Sequence, residues 1–222
     1  MNHRAYDVIT FDCYGTLIDW ESGIVNAFAT EANQRGVGGV DPASLMELYV
    51  QTEARVESEE FMRYRDVLAT TAARVAERLG WPAGDDAFLA KSLASWHPFP
   101  DTNPALAALK SRGYRLGILS NVDRDLLEET QRHFAVPFDF VVTAGDVRSY
   151  KPAEGHFRAG MERASGSQWL HAAQSWFHDV VPARRMGIPV VWVNRKGELL
   201  GSEARPAGVV RDMAGLVAWL ET

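Results

Sequence analysis

Four short stretches of this sequence place reactive residue types where a crevice is expected. Val8-Ile9-Thr10-Phe11-Asp12-Cys13-Tyr14-Gly15-Thr16-Leu17 is an apolar, β-branched run that stops at an acid, a glycine and a threonine. It reads as a buried strand with Asp12 at its carboxyl end, and Gly15 lets the chain turn sharply behind it. Ser120-Asn121 closes a second such run, Lys151 follows a third, and His178-Asp179 follows a fourth. Each has an ordinary explanation when taken singly. Asp12 and Asp179 suit turns or helix caps, Ser120 and Asn121 are turn formers, and a lone lysine is commonly a solvated charge. Their recurrence is the informative feature, because in an open α/β sheet the carboxyl ends of the strands face one ligand-binding crevice. Cys13 beside Asp12 raises the option of a thiol nucleophile. No histidine lies within a few residues of it, so a buried neighbour is the favoured reading.

Periodicity supplies the elements that must hold these residues. From Ile18 to about Trp96 the pattern is helical and strand-free: Ile24, Val25, Phe28 and Ala29 recur at helical spacing up to Arg35-Gly36. Asp41-Pro42 offers a cap and a first-turn proline, a third helix is expected near Phe61 to Leu79, and Asp85 or Asp86 caps a fourth. His97-Pro98-Phe99-Pro100-Asp101 returns the chain to the core. Strands then alternate with helices. Strands are expected at Tyr114–Leu119, Phe138–Val142, Leu170–Ser175 and Val190–Val193, with helices from Thr102 or Asn103 through Lys110 and at Asp123–His133. Further helices are expected at Glu154–Arg163 and Pro182–Met186, and around Met213 to Leu220, while Thr143-Ala144-Gly145-Asp146 reads as a loop. This alternation predicts an α/β fold with a doubly wound parallel sheet. The expected domains are a core formed by 1–17 and 98–222 and an inserted helical cap, 18–97, lying as a lid over the strand ends.

Composition narrows the classes. The 222 residues, 46% apolar and 23% charged, suit one globular chain with a sizeable core, and the net charge of −6 gives no cationic footprint for a nucleic-acid partner. No apolar stretch is long enough for a membrane span. Met1-Asn2-His3-Arg4 leads into the first strand without an apolar signal region, and the single cysteine suits a reducing, cytoplasmic setting. No Gly-x-Gly-x-x-Gly follows a strand and no Gly-Lys-[Ser/Thr] loop occurs, so no organic cofactor is expected.

Asp12-Cys13-Tyr14-Gly15-Thr16-Leu17 resembles the first motif of the haloacid dehalogenase superfamily. Ser120-Asn121 resembles its second motif, Lys151-Pro152 its third, and Asp179-Val180-Val181-Pro182-Ala183-Arg184 the latter half of its fourth. The resemblance covers most of the core and implies a Rossmann-like domain with a cap. It also implies roles: Asp12 as nucleophile, Ser120 holding the anionic part of a substrate, Lys151 pairing with the nucleophile, and Asp179 serving the hydrolytic half. Physics agrees, since a cation within about 4–6 Å keeps Asp12 ionised and Asp179 keeps Lys151 charged. Phosphatases of the superfamily carry a second aspartate two positions after the first, as general acid. Tyr14 stands there, and a phenol titrating near 10 is a poor acid at neutral pH. Tyrosine resembles the haloalkanoic acid dehalogenase branch, where a departing halide needs no proton. The segment before Asp179 also lacks the second acid of a magnesium site.

The resemblance is incomplete. The cap arginine of well-described L-2-haloacid dehalogenases falls near Val50, the tyrosine six residues after the lysine is Phe157, and an asparagine of the fourth motif becomes Trp176. His178 is expected to orient water or bind substrate, with a purely structural histidine as the alternative. Arg55, Arg63 and Arg65 are candidates for gripping a carboxylate, and Trp20, Trp96 and Trp176 for walling a dry pocket or packing. The reading is a hydrolase in which Asp12, Lys151 and Asp179 are catalytic while Tyr14, Ser120, Asn121 and His178 contact substrate. No metal is required. The substrate is a small anionic organic acid, with no nucleic-acid or membrane partner; a homodimer is admitted but not required. Two rivals remain: a magnesium-dependent phosphatase of the superfamily, and a binding module that kept the fold without the chemistry.

Overall fold

The computed structural model describes residues 4–222; Met1–His3, the start of the stretch that leads into the first strand, lie outside the described residues. Six strands build one parallel sheet: β1 (Val8–Phe11), β2 (Arg115–Ser120), β3 (Phe140–Thr143), β4 (Trp169–Ala173), β5 (Val190–Val193) and β6 (Gly208–Val210). Their order is β3-β2-β1-β4-β5-β6, and every neighbouring pair is parallel. The order reverses between β1 and β4, which is where such sheets open a crevice. β1 therefore runs down the middle of the sheet, buried on both faces, and its sequence is uniformly apolar or β-branched for that reason.

Alternation along β1 divides two cores. Ile9 and Phe11 point to one face, with Leu106 and Leu109 of α5 (Thr102–Ser111) and Met213 and Leu216 of α10 (Met213–Trp219). Val8 points to the other face, with Phe157 of α8 (Gly155–Arg163) and Ala183 of α9 (Val181–Arg185). Gly117 in β2 has no side chain because the Phe140 ring of β3 lies where a Cβ would be, 2.5 Å from its nearest atom. Gly15 carries φ of 94°, a conformation that glycine alone adopts without strain, and it turns the chain directly beyond Asp12.

Two compact units are distinguishable, Met1–Asp19 with Pro98–Asn121 and His133–Thr222, and Trp20–His97 with Val122–Arg132. The second unit holds α1 (Trp20–Arg35), α2 (Pro42–Glu57), α3 (Tyr64–Arg78), α4 (Phe88–Ser92) and α6 (Arg124–Gln131). Asp41 caps α2 by accepting the Ser44 N–H at 2.9 Å, with Pro42 in the first turn, as its sequence predicts. Phe28 packs against Phe88 edge to face at 4.9 Å, and Tyr49 and Tyr64 both donate to Glu53, which fastens α2 to α3.

Several elements depart from the sequence expectation. Segment 122–132 groups with the helices, because Asp123 caps α3: its carboxylate accepts the N–H groups of Tyr64 and Arg65 at 3.2 and 2.9 Å. The stretch after β3 is one helical turn, α7 (Ala144–Val147), closed by reciprocal bonds between Thr143 and Asp146. The short edge strand β6 has no counterpart in the periodicity. β4 ends at Ala173, and Trp176–Val180 forms a π-helical turn before α9. Among the described residues no helix is long and apolar enough to cross a membrane.

Candidate active site

Asp12, Ser120, Asn121, Lys151, His178 and Asp179 all lie in the sheet-bearing unit, at the carboxyl ends of β1, β2, β3 and β4. Lys151 is the centre of the arrangement. Its ammonium donates three bonds, to Asp12 Oδ1 at 2.9 Å, to Asp179 Oδ1 at 2.7 Å and to the Leu119 carbonyl at 2.9 Å. An ammonium has three hydrogens, so each has an acceptor. Lys151 is 2% exposed and Asp179 is fully buried, while Asp12 keeps 8% of its surface open. The other oxygen of Asp12 accepts the Thr16 hydroxyl at 2.8 Å, and Thr16 in turn accepts the Gln174 N–H at 2.9 Å. Lys151 and Thr16, the latter only four residues on, thus hold one carboxylate oxygen of Asp12 each.

The charges respond differently to burial. Burial raises the Asp12 carboxyl, with Asp179 adding to the rise and the Lys151 ammonium opposing it. Asp179 is pushed up by burial too, but Lys151 and His171 outweigh that and hold it below the usual carboxylate range. Burial works against the Lys151 ammonium, yet two carboxylates overcome it and its pKa is raised. The more open carboxylate is therefore the more basic of the two. Burial pushes the Cys13 thiol well above its ordinary value, which keeps it protonated and leaves it no part in nucleophilic chemistry.

The remaining expected residues divide. The Asn121 amide accepts the Lys151 N–H at 2.7 Å and donates to the Lys151 carbonyl at 3.2 Å, so it clamps the lysine's backbone. Ser120 is 1% exposed, and its carbonyl accepts from His156 Nε2 at 3.0 Å. Burial lowers His156 to about 4, with the nearby Lys151 charge second, so that imidazole is neutral. His178 contacts Ser175 through Nδ1 at 3.0 Å and its own N–H at 3.1 Å, and burial lowers its pKa as well. Tyr14 forms a bridge with Ile18 across the turn and remains half-buried. In the helical unit Arg63 and Arg65 pair with Asp125, Arg65 at 2.6 Å, while Trp96 packs under Gly23 and Trp20 beside Tyr49. Trp176 stands against Trp192 at 4.9 Å.

Residues that the sequence did not single out complete the centre. His171 in β4 approaches Asp179 Oδ1 at 3.1 Å through Nε2, and Thr10 at 2.9 Å through Nδ1. Arg195 donates to the Thr16 carbonyl at 3.1 and 2.8 Å, pairs with Asp101 at 2.8 Å, and lies over Phe99, which ties the loop after Asp12 to the core. Both are hidden in sequence, His171 inside an apolar strand and Arg195 in a polar loop.

The donor set does not suit a magnesium site built from protein carboxylates. Two acids share one ammonium, Tyr14 replaces the second acid of the first motif, and among the described residues no cluster of three or more His, Cys, Asp or Glu could hold a metal ion. What the centre does offer is a partly open carboxylate braced by a hydroxyl and an ammonium.

The chain belongs to the haloacid dehalogenase-like hydrolases: that family's model matches residues 6–173. It is a hydrolase with the parallel α/β fold of that family. It is 28% identical over 96% of both chains to (S)-2-haloacid dehalogenase H-109 of Pseudomonas putida. A crystal structure of the L-2-haloacid dehalogenase RSc1362 superposes with a TM-score of 0.81 at 27% identity, covering 97% of this chain and 98% of that one. The L-2-haloacid dehalogenase of Xanthobacter autotrophicus, solved with chloropropionic acid covalently bound, has the same fold, with a TM-score of 0.82 at 19% identity over 97% of this chain and 98% of that one.

Proposed function

We propose that this chain is a 2-haloacid dehalogenase acting through a covalent ester on Asp12. The observation that carries the reading is Asp12 braced by Thr16 and Lys151, with Tyr14 where a phosphatase places its acid. In the first step an Asp12 oxygen attacks C2 of a short 2-haloacid from behind. A carbon–oxygen bond forms, the carbon–halogen bond breaks, and halide leaves with the electron pair and no proton. In the second, water adds to the Asp12 carbonyl carbon and the ester's acyl–oxygen bond breaks. One water proton stays on the departing 2-hydroxyacid, the other is released, and Asp12 returns as a carboxylate. Asp179 orients the water, and His178, kept neutral by burial, accepts the released proton. Ser120 is the candidate contact for the substrate's anionic end, and the ammonium of Lys151 steadies both carboxylates.

The cap, 18–97, is the part of this proposal from which substrate selection is expected, with 1–17 and 98–222 as the chemical core. The same reading places the protein in the cytoplasm with a small anionic acid as substrate, and it accommodates a homodimer. The purified protein should release halide from 2-chloropropionate at a rate unchanged by EDTA, and no phosphate from phosphate monoesters. Phosphate release that EDTA stops and magnesium restores would overturn the proposal in favour of a phosphatase.

A further inference from the structure

A fully buried imidazole in the middle of a parallel strand is costly unless its nitrogens are satisfied. His171 is such a group, 0% exposed in β4, and its hydrogen bonds form a directed chain. The Trp169 indole N–H, which can only donate, reaches Thr10 Oγ1 at 2.8 Å. Thr10 Oγ1 lies 2.9 Å from His171 Nδ1, and because an ionised carboxylate only accepts, the imidazole hydrogen facing Asp179 is on Nε2. From there it is donated to Asp179 Oδ1 at 3.1 Å. Phe157 packs edge to face on the imidazole with ring centroids 5.6 Å apart and offers no hydrogen bond, so it holds the ring's plane.

Asp179 Oδ1 thus receives two donors, His171 Nε2 and Lys151 Nζ, while Asp179 Oδ2 is buried without a partner. Lys151 divides itself among three acceptors and cannot alone fix the rotation of that carboxylate. We infer that His171 is a positioning residue for Asp179, holding Oδ2 where it accepts a hydrogen bond from the water that hydrolyses the ester. The inference rests on the ester mechanism proposed above. It predicts a selective effect. Loss of the His171 donor slows the second half of the reaction and spares the first, because Asp12 has its own braces in Thr16 and Lys151.

The test is rapid quenching of wild type, His171→Leu and His171→Gln mixed with (S)-2-chloropropionate, with the mass of the Asp12 peptide followed by time. His171→Leu should form the ester at close to the wild-type rate and hydrolyse it about 30-fold more slowly, so that the adduct accumulates. His171→Gln keeps an N–H at a similar distance and should recover most of the hydrolysis rate. Should His171→Leu fail to fold, His171→Asn makes the same comparison, its shorter amide falling short of Asp179. Hydrolysis at the wild-type rate in the variants lacking the donor, or equal loss in both half-reactions, would overturn the role of His171. If no adduct forms on Asp12 in wild type under quench with excess enzyme, the ester mechanism itself fails and this inference falls with it.

Discussion

Asp12→Asn should abolish turnover, by at least about 10³-fold, and leave the fold intact. The amide has nearly the shape of the carboxylate but none of its charge, and its oxygen is a far weaker nucleophile. The position is well suited to such a test. One oxygen faces the Lys151 ammonium and still finds its donor, and Thr16 can rotate its hydroxyl to accept from the new amide. Burial works against the charge of the Asp12 carboxyl, and Lys151 keeps its second carboxylate partner in Asp179, so a neutral side chain of the same shape is compatible with the fold. Halide release and thermal unfolding of freshly purified, undeamidated protein measure the two halves of this expectation. Near-native activity would remove Asp12 from the mechanism.

Lys151→Met should be as damaging to activity and far more damaging to stability. It removes the ammonium between Asp12 Oδ1 and Asp179 Oδ1 and leaves two buried carboxylates facing each other. Removing one partner of a buried ion pair costs about 3–5 kcal/mol. The contribution of Asp179 to the pH dependence should change sign. In the native protein the Asp179 carboxyl lies below its ordinary value, so its contribution is present above the unfolded-state pKa and is lost as pH falls through the folded one. Without the ammonium, burial dominates and raises both carboxyls. Their contribution is then present at low pH and is lost as pH rises through the folded values. Relative to wild type, the variant should gain stability from about pH 8 to about pH 5 in urea unfolding. A variant whose stability deficit is unchanged over that range would show that Lys151 does not hold the charges apart.

The parts of this site that a sequence makes visible are those at strand ends. Asp12 and Asp179 stand where apolar runs break, and Lys151 just past one, and a parallel sheet brings such breaks together whatever the loops do. Asn121 shows the limit of that argument. Its position is legible, but the direction of its amide is set by the backbone of a residue 30 positions away. His171 is less visible still, because a histidine inside a buried strand resembles any core position until its partners Thr10 and Asp179 are known. The Arg63 and Arg65 side chains, candidates by type for gripping a carboxylate, meet Asp125, a residue distant in sequence that no local pattern connects to them. Strand β6 has no sequence signature, because three residues at a sheet edge carry too little apolar periodicity.

The mechanism depends on which oxygen reaches the product, and one turnover in heavy-oxygen water decides it. If Asp12 attacks carbon, its own carboxylate oxygen departs in the 2-hydroxyacid and solvent oxygen takes its place on the enzyme. Enzyme in excess over 2-chloropropionate should therefore yield mostly unlabelled product and a labelled peptide containing Asp12. Labelled product with an unlabelled Asp12 peptide would mean that water attacks the substrate directly, and would contradict the covalent account.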